Sequence, residues 1–487
     1  MAGRRFFQKG HASVLSPTVL GAAPQRFALI LAGLAATGVA LFLFSSCIPR
    51  AGSLGPSLMG SLGTSNTPAI TAAAPALELA NANVNGGKTA SSAEVSGLVK
   101  RALSSEALEQ SAPLLGQAET RLVKIYQLVG QADRQEALKQ AEALVRDYPN
   151  FHLANLVLGD LLSASSRPIR QLGDVPDTKA LAAHKQLEVL REQSRRRLQA
   201  LTERPPTGSV PSQFVSVSIK SRHAIAVDAS RSRLYLFENK AIKGEDPQLT
   251  LVGDYYISVG QSGVEKVSEG DLRTPVGVYY ITSNLDPSKL PDLYGAGALP
   301  INYPNALDTQ RGKTGGGIWL HGSPSEQFAR PPLASEGCVV LSNQDLKTLL
   351  GKVEIRTTPV VISPTLKWVM PDALNNERRQ FSLALEDWRA SKSRGDAVKL
   401  KSFYSSRFDS QGQKLADWWP RVEGELNAQG AKAVEMKDVS VLNWRDKDDT
   451  MVVTFGEIRS GQARGVTKRQ YWIREGSDWK IFNEGTV

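Results

Sequence analysis

Hydrophobic and polar positions change rhythm several times along the 487 residues. Residues 27–48, FALILAGLAATGVALFLFSSCI, form an uncharged apolar run, and roughly 20 such residues cross a bilayer as a helix. A transmembrane helix is therefore predicted over 27–48. Residues 49–92 are rich in Ala, Gly, Ser, Asn and Pro without periodicity, the composition of a flexible linker. From 93 to 205, as in AETRLVKIYQLVGQADRQEALKQAEALVRDYPNFHLANLVLGDLL, apolar residues recur at helical spacing. This predicts a helical hairpin or more; one weak tetratricopeptide-like unit does not make a solenoid, so the region reads as a helical spacer.

After the linker PTGSVPS the period moves towards two. HAIAVDASRSRLYLFEN, LTLVGDYYISVGQ, TPVGVYYITSN, GGGIWLHG, CVVLS and TPVVISP read as short strands broken by Gly, Pro and Asn, with one helix in NQDLKTLLGKV. They predict a mostly-β domain over 213–366. From 375 to 487 the pattern restarts with helices in ERRQFSLALEDWRASKSRGD, VKLKSFYSS and QKLADWWPRVEGELNAQG. Antiparallel strands follow in VEMKDVSVLNWR, TMVVTFGEIRS, GVTKRQYWIREG and DWKIFNEG. Helices first and a sheet second predict an α+β cone, so the whole chain reads as multidomain.

Charge orients the apolar run. Arg4, Arg5, Lys9 and Arg26 lie in the basic segment 1–26 before it, and such charges stay on the cytoplasmic side. Everything after residue 50 is then exported; a cleaved signal peptide is the competing reading. The net charge of +10 suits an anionic partner such as a cell-wall polymer, or a generally basic solvated surface. The sequence has no Cys/His cluster of zinc type, no P-loop and no aromatic RNA-binding signature. Metal catalysis, nucleotide hydrolysis and nucleic-acid recognition are accordingly not expected, nor is any cofactor.

Candidate chemistry sits in GIWLHGSPSEQFARPPLASEGCVVLSN. It holds Cys338, one of two cysteines, and His321, one of five histidines. A thiol is a strong nucleophile as thiolate, which calls for a base or a positive neighbour. His321 ends one apolar strand and Cys338 begins another, so adjacent strands can bring imidazole to sulfur. The segment between them forms a rim. Gly337 lets the backbone come close to a substrate, and the amides of Gly337 and Cys338 can face a developing oxyanion. The pattern points to acyl transfer.

LHG followed by S-x-G-C, with EGDLRTPVGVYYIT upstream and VDASRSRLYLFEN and YYISVGQ before that, resembles a YkuD-type L,D-transpeptidase catalytic domain. The resemblance covers about residues 213–366. It implies peptidoglycan stem peptides as substrate, in the periplasm of a bacterium whose inner membrane holds the N-terminal helix. It further implies Cys338 as nucleophile, His321 as base and then acid, and the Gly337 and Cys338 amides as oxyanion hole. Gly322, Ser335, Glu336, Arg330 and Arg273 are the candidate substrate contacts. Two positions depart from the family pattern: Glu336 stands where a second histidine is usual, and Val340 where an arginine is usual. Arg330 and Arg273 are the candidates for that missing charge. The C-terminal unit resembles the nuclear-transport-factor-like, or SnoaL-like, fold through its element order and Trp388, Trp444, Trp472 and Trp479, read as core. Enzymes that join these two domains include L,D-carboxypeptidases that trim stems and shape the cell. The resemblance thus leaves crosslinking first, trimming second, and an inactive wall-binding scaffold as the reading of another class.

Overall fold

In the computed structural model, residues 112–169, 171–174, 182–240, 248–429, 432–460 and 464–487 are described. The segments 1–26, 27–48 and 49–92 and the start of the helical region lie outside them. Among the described residues no helix is long and apolar enough to cross a membrane.

Helices α1 (Gln117–Gly130), α2 (Arg134–Asp147), α3 (His152–Ser163) and α4 (His184–Thr202) come first. Asp133 caps α2 by accepting from the Glu136 amide, the local signal that starts a second helix so soon after the first. Leu122, Val123, Ala137, Leu144, Phe151, Leu153 and Leu201 form their shared core. The region is no free spacer, because that core also takes in Phe328 from the following domain. A buried ion cluster fastens it further: Arg233 reaches Glu119 on α1 at 2.8 Å and Asp254 at 2.6 Å.

The next domain is built on strands β1 (Val210–Pro211), β2 (His223–Asp228), β3 (Arg233–Lys240), β4 (Gln248–Tyr256), β5 (Val259–Gly260) and β6 (Gly277–Tyr280). They are followed by β7 (Ala298–Pro300), helix α5 (Ala306–Gln310), β8 (Trp319–His321), β9 (Leu333–Ser335), β10 (Val339–Val340), helix α6 (Asn343–Leu350), β11 (Pro359–Ser363) and β12 (Trp368–Val369). The main sheet runs β4-β3-β2-β11-β6, with β2 and β11 parallel. Side chains alternate across a strand, and here both parities are buried. Ile225, Val227, Leu234, Leu236, Val360 and Ile362 pack on one side against the small sheet β10-β8-β7 and α6. Ala224, Ala226, Tyr235, Phe237, Val278, Tyr280 and Val361 pack on the other side. That double burial is why these strands read as apolar runs.

What covers the second face is the C-terminal domain. It comprises α7 (Asn375–Arg394), α8 (Ala397–Lys401), β13 (Asp409–Ser410), β14 (Gln413–Lys414), α9 (Leu415–Gln429) and the meander β15 (Val434–Arg445), β16 (Asp449–Arg459), β17 (Val466–Glu475) and β18 (Asp478–Thr486). Leu442, Trp444, Val452, Tyr471, Ile473 and Phe482 meet the main sheet. Met451, Val453, Phe455, Trp472 and Ile481 meet the helices. Trp388, Trp444 and Trp472 are buried, while Trp479 is packed against the helical core and partly open. Arg311 clamps Asp446 and Asp448 across the same junction.

Candidate active site

The small sheet makes the site. β8 and β10 run parallel, pairing Leu320 with Val339 and His321 with Val340. Leu320, Val339 and Leu341 point into the core, so by alternation Trp319, His321 and Cys338 project from the opposite face. His321 and Cys338 therefore share one face of one sheet, a geometry set by the apolar residues between and beside them.

His321 is buried, and its Nδ1 lies 2.7 Å from the Gly322 carbonyl. A carbonyl only accepts, so Nδ1 carries the hydrogen and Nε2 keeps its lone pair. Burial lowers the imidazole to about 4; the Gly322 contact opposes this, and the Arg330 charge adds to it. Tyr294 packs edge-on against His321, centroids 5.0 Å apart, and beside Trp319 at 4.7 Å. The ring is thus neutral, held in one tautomer and packed against Tyr294.

Cys338 is half-buried and reduced. Its Sγ accepts the Trp319 amide at 3.4 Å and donates to the Gly317 carbonyl at 3.5 Å. Burial pushes the thiol up, the Trp319 amide pulls it down, Glu336 pushes up, and Arg330 and Lys266 pull down. No hydrogen bond joins Sγ to His321 among the described residues. The resting pair is therefore a neutral thiol beside a neutral imidazole, not a preformed thiolate–imidazolium pair.

Gly337 has a physical requirement behind it. Its φ is +129°, and a Cβ there would stand 2.7 Å from the Arg273 carbonyl oxygen. Its amide, expected to face an oxyanion, instead donates to Ser335 Oγ at 3.2 Å. Ser335 is buried and also donates to the Cys338 carbonyl at 2.6 Å. It braces the cysteine turn, with its one hydrogen and one of its two lone pairs committed there. The Cys338 amide donates to no protein acceptor among the described residues, so it is the backbone donor the turn leaves open. Gly322 is needed for space: a Cβ would lie 2.1 Å from Asn343 Oδ1, and Asn343 in turn holds the Ala296 amide and the Ser323 carbonyl.

The two arginines separate. Arg273 is exposed and its Nη1 donates to the Val264 carbonyl at 2.9 Å, while its own carbonyl is what crowds Gly337. Arg330 lies on the rim, with Nη1 donating to the Ala334 carbonyl at 3.3 Å; among the described residues no carboxylate pairs with it, and its charge acts on both His321 and Cys338. Val340 is buried, 2% exposed, so the usual arginine position carries no charge in this chain. Glu336 is exposed beside the thiol.

Four residues escaped the sequence reading. Lys266 is buried and bonded to Asp271 at 2.7 Å. Asp271 also gathers the Val267, Ser268 and Arg273 amides, which tightens the loop that presses on Gly337. Tyr294 packs on both Trp319 and His321. Trp319, beside LHG, was visible in the chain; Tyr294, 27 residues before His321, and a lysine five residues before an aspartate in an aperiodic loop carry no such signal.

Residues 222–362 match the YkuD family, the L,D-transpeptidase catalytic domain. Residues 380–485 match the Cds6 C-terminal NTF2-like domain. Among solved structures, Bdellovibrio bacteriovorus Bd1075 aligns at 25% identity over 57% of this chain and 98% of that one, with a TM-score of 0.49. The helical cell shape determining protein Pgp2 from Campylobacter jejuni aligns at 21% identity over 58% of this chain and 96% of that one, TM-score 0.45. An L,D-transpeptidase from Mycobacterium smegmatis aligns at 13% identity over 29% of this chain and 59% of that one, TM-score 0.19. No curated protein matches the chain.

Proposed function

We propose that this chain, which carries a YkuD-type L,D-transpeptidase catalytic domain and a Cds6-type NTF2-like domain, is a cysteine acyltransferase of peptidoglycan stem tetrapeptides. We place its action outside the cytoplasmic membrane, tethered by residues 27–48. The observation that carries the reading is the shared face of β8 and β10, where a half-open thiol stands with a neutral imidazole whose tautomer is fixed.

Both partners start uncharged. As Sγ attacks the carbonyl of the third stem residue, the thiol proton passes to His321 Nε2 and an S–C bond forms. The oxyanion is met by the Cys338 amide. The C–N bond to the terminal D-alanine then breaks, and Nε2 returns the proton to the leaving amine. The product is a thioester on Cys338 and free D-alanine. Arg330 is placed to receive the D-alanine carboxylate, since a guanidinium presents a planar fork that fits one. An amine from a second stem attacking the thioester gives a crosslink and restores the thiol. Water as acceptor gives a trimmed tripeptide; the buried Val340 favours this second reading, because the charge the family usually keeps there is lost.

The full chain incubated with purified disaccharide tetrapeptide is expected to release D-alanine and to carry an acyl mass on Cys338. Stem dimers indicate crosslinking and tripeptide monomers indicate trimming. Binding without turnover or adduct would sink both and leave a scaffold.

A further inference from the structure

The segment between His321 and Ser335 holds Arg330 but has only β9 as regular structure. A connection of that kind takes its conformation from what it packs on, and here much of that is the helical region. Phe328 stacks on Phe151 with centroids 4.3 Å apart and meets Tyr148 edge-on at 5.4 Å. Around the rings two hydrogen bonds close the contact: the Phe328 amide donates to the Asn150 carbonyl at 3.0 Å, and Asn150 Nδ2 donates to the Ser325 carbonyl at 2.9 Å. All four helical-region atoms and rings come from residues 148–151, the turn between α2 and α3.

A second hold lies at Arg330 itself. Tyr256 donates its hydroxyl to the Arg330 carbonyl at 3.0 Å, and the Arg197 guanidinium of α4 lies over the Tyr256 ring at 3.7 Å. Between this hold and Ser335, the Val259 amide donates to the Pro332 carbonyl at 2.9 Å, so β5 and β9 carry the chain to the cysteine turn. The rim is gripped at its tip, at Arg330 and at its end.

We infer that the helical region is a positioning device for the catalytic rim: the turn 148–151 seizes Phe328 and so sets Arg330 at the mouth of the Cys338 cleft, where a substrate carboxylate enters. This rests on the proposed role of Arg330, and it gives the helical region a task in the reaction. Tyr148, Asn150 and Phe328 are positioning residues, since none of them touches the reacting atoms.

The test uses the full chain and needs no turnover. Cys338 is alkylated with iodoacetate, an anion, and with iodoacetamide, its neutral counterpart, and the two rates are read by mass on the Cys338 peptide. A guanidinium at the cleft favours the anion, and focusing by a local charge is worth about tenfold in encounter rate. Arg330→Ala is expected to lower the iodoacetate-to-iodoacetamide ratio by about that factor. Phe328→Ala and Tyr148→Ala are each expected to give most of the same fall, Phe328→Tyr to keep the wild-type ratio, and Arg330→Ala with Phe328→Ala to fall no further than Arg330→Ala alone. Tyr148 is half-buried on the other side of the contact, so it keeps the test open if Phe328→Ala misfolds. A ratio that falls with Arg330→Ala and stays put in both ring variants overturns the positioning role. A ratio indifferent to Arg330→Ala overturns the carboxylate role as well.

Discussion

In the main sheet the inner strands bury both parities, whereas in the small sheet one parity is core and the other carries Trp319, His321 and Cys338. Ile225 and Ala226, or Val360 and Val361, are neighbours in sequence that sink into opposite cores. Leu320 and His321 are neighbours of which only the first joins the core cluster. The same alternation thus builds a slab in one place and a work surface in the other. The difference is what lies on the second face: four strands of the C-terminal domain cover the slab, while Tyr294 packs on the work surface and leaves Cys338 half-buried.

The comparison is broken most sharply at the sulfur. Cys338→Ser should lower turnover of tetrapeptide by at least about 10⁴-fold, while its unfolding free energy from urea titration changes by less than about 1 kcal/mol. The slab should answer the other way. Ile362 is fully buried, and Ile362→Ala should cost about 3 kcal/mol of stability through the cavity it leaves. The fraction that remains folded should keep its wild-type rate of Cys338 alkylation. A stability loss from Cys338→Ser as large as that from Ile362→Ala would mean the sulfur is core material after all.

Gly337 lies between these extremes, because it belongs to the work surface but acts through space. Gly337→Ala puts a Cβ against the Arg273 carbonyl and forces a side chain into a conformation that favours glycine. Turnover should fall about 100-fold, as expected when a reacting group is displaced by an ångström, with a stability loss of about 1 to 3 kcal/mol. Mass spectrometry after a timed incubation reads the first and urea unfolding the second. Unchanged turnover would remove the cysteine turn from the mechanism.

What could be read in the chain follows the same division. Strand alternation is a local property, so 223–240 and 434–486 announced their strands, and LHG with SEGC announced the turn. Residues joined only by the fold stayed hidden. Lys266 meets the site because Asp271 gathers three amides around it, and the brace that Ser335 makes across the cysteine turn has no signal in the chain. The helical region read as a spacer because Phe151 and Phe328, 177 positions apart, carry no mutual signal in one sequence.

The smallest effect is the most specific to the work surface. An ordinary imidazole titrates near 6.5, but burial holds His321 at about 4, and the proposed reaction needs it neutral. The acid limb of kcat/KM should therefore fall near pH 4. At about pH 5.5 the protein should retain nearly full activity, where an unperturbed histidine base would already be about tenfold down. The thiol is raised by the same burial, so no second limb should appear below its ordinary range. A preformed thiolate–imidazolium pair would behave differently: its imidazole would hold its proton well above pH 6.5, and the thiolate would be lost at low pH. A pH profile on tetrapeptide separates the two, and an acid limb centred near 6.5 or above would show that the second face of the small sheet is wet and charged, not a dry neutral surface on which the proton moves only as the bond forms.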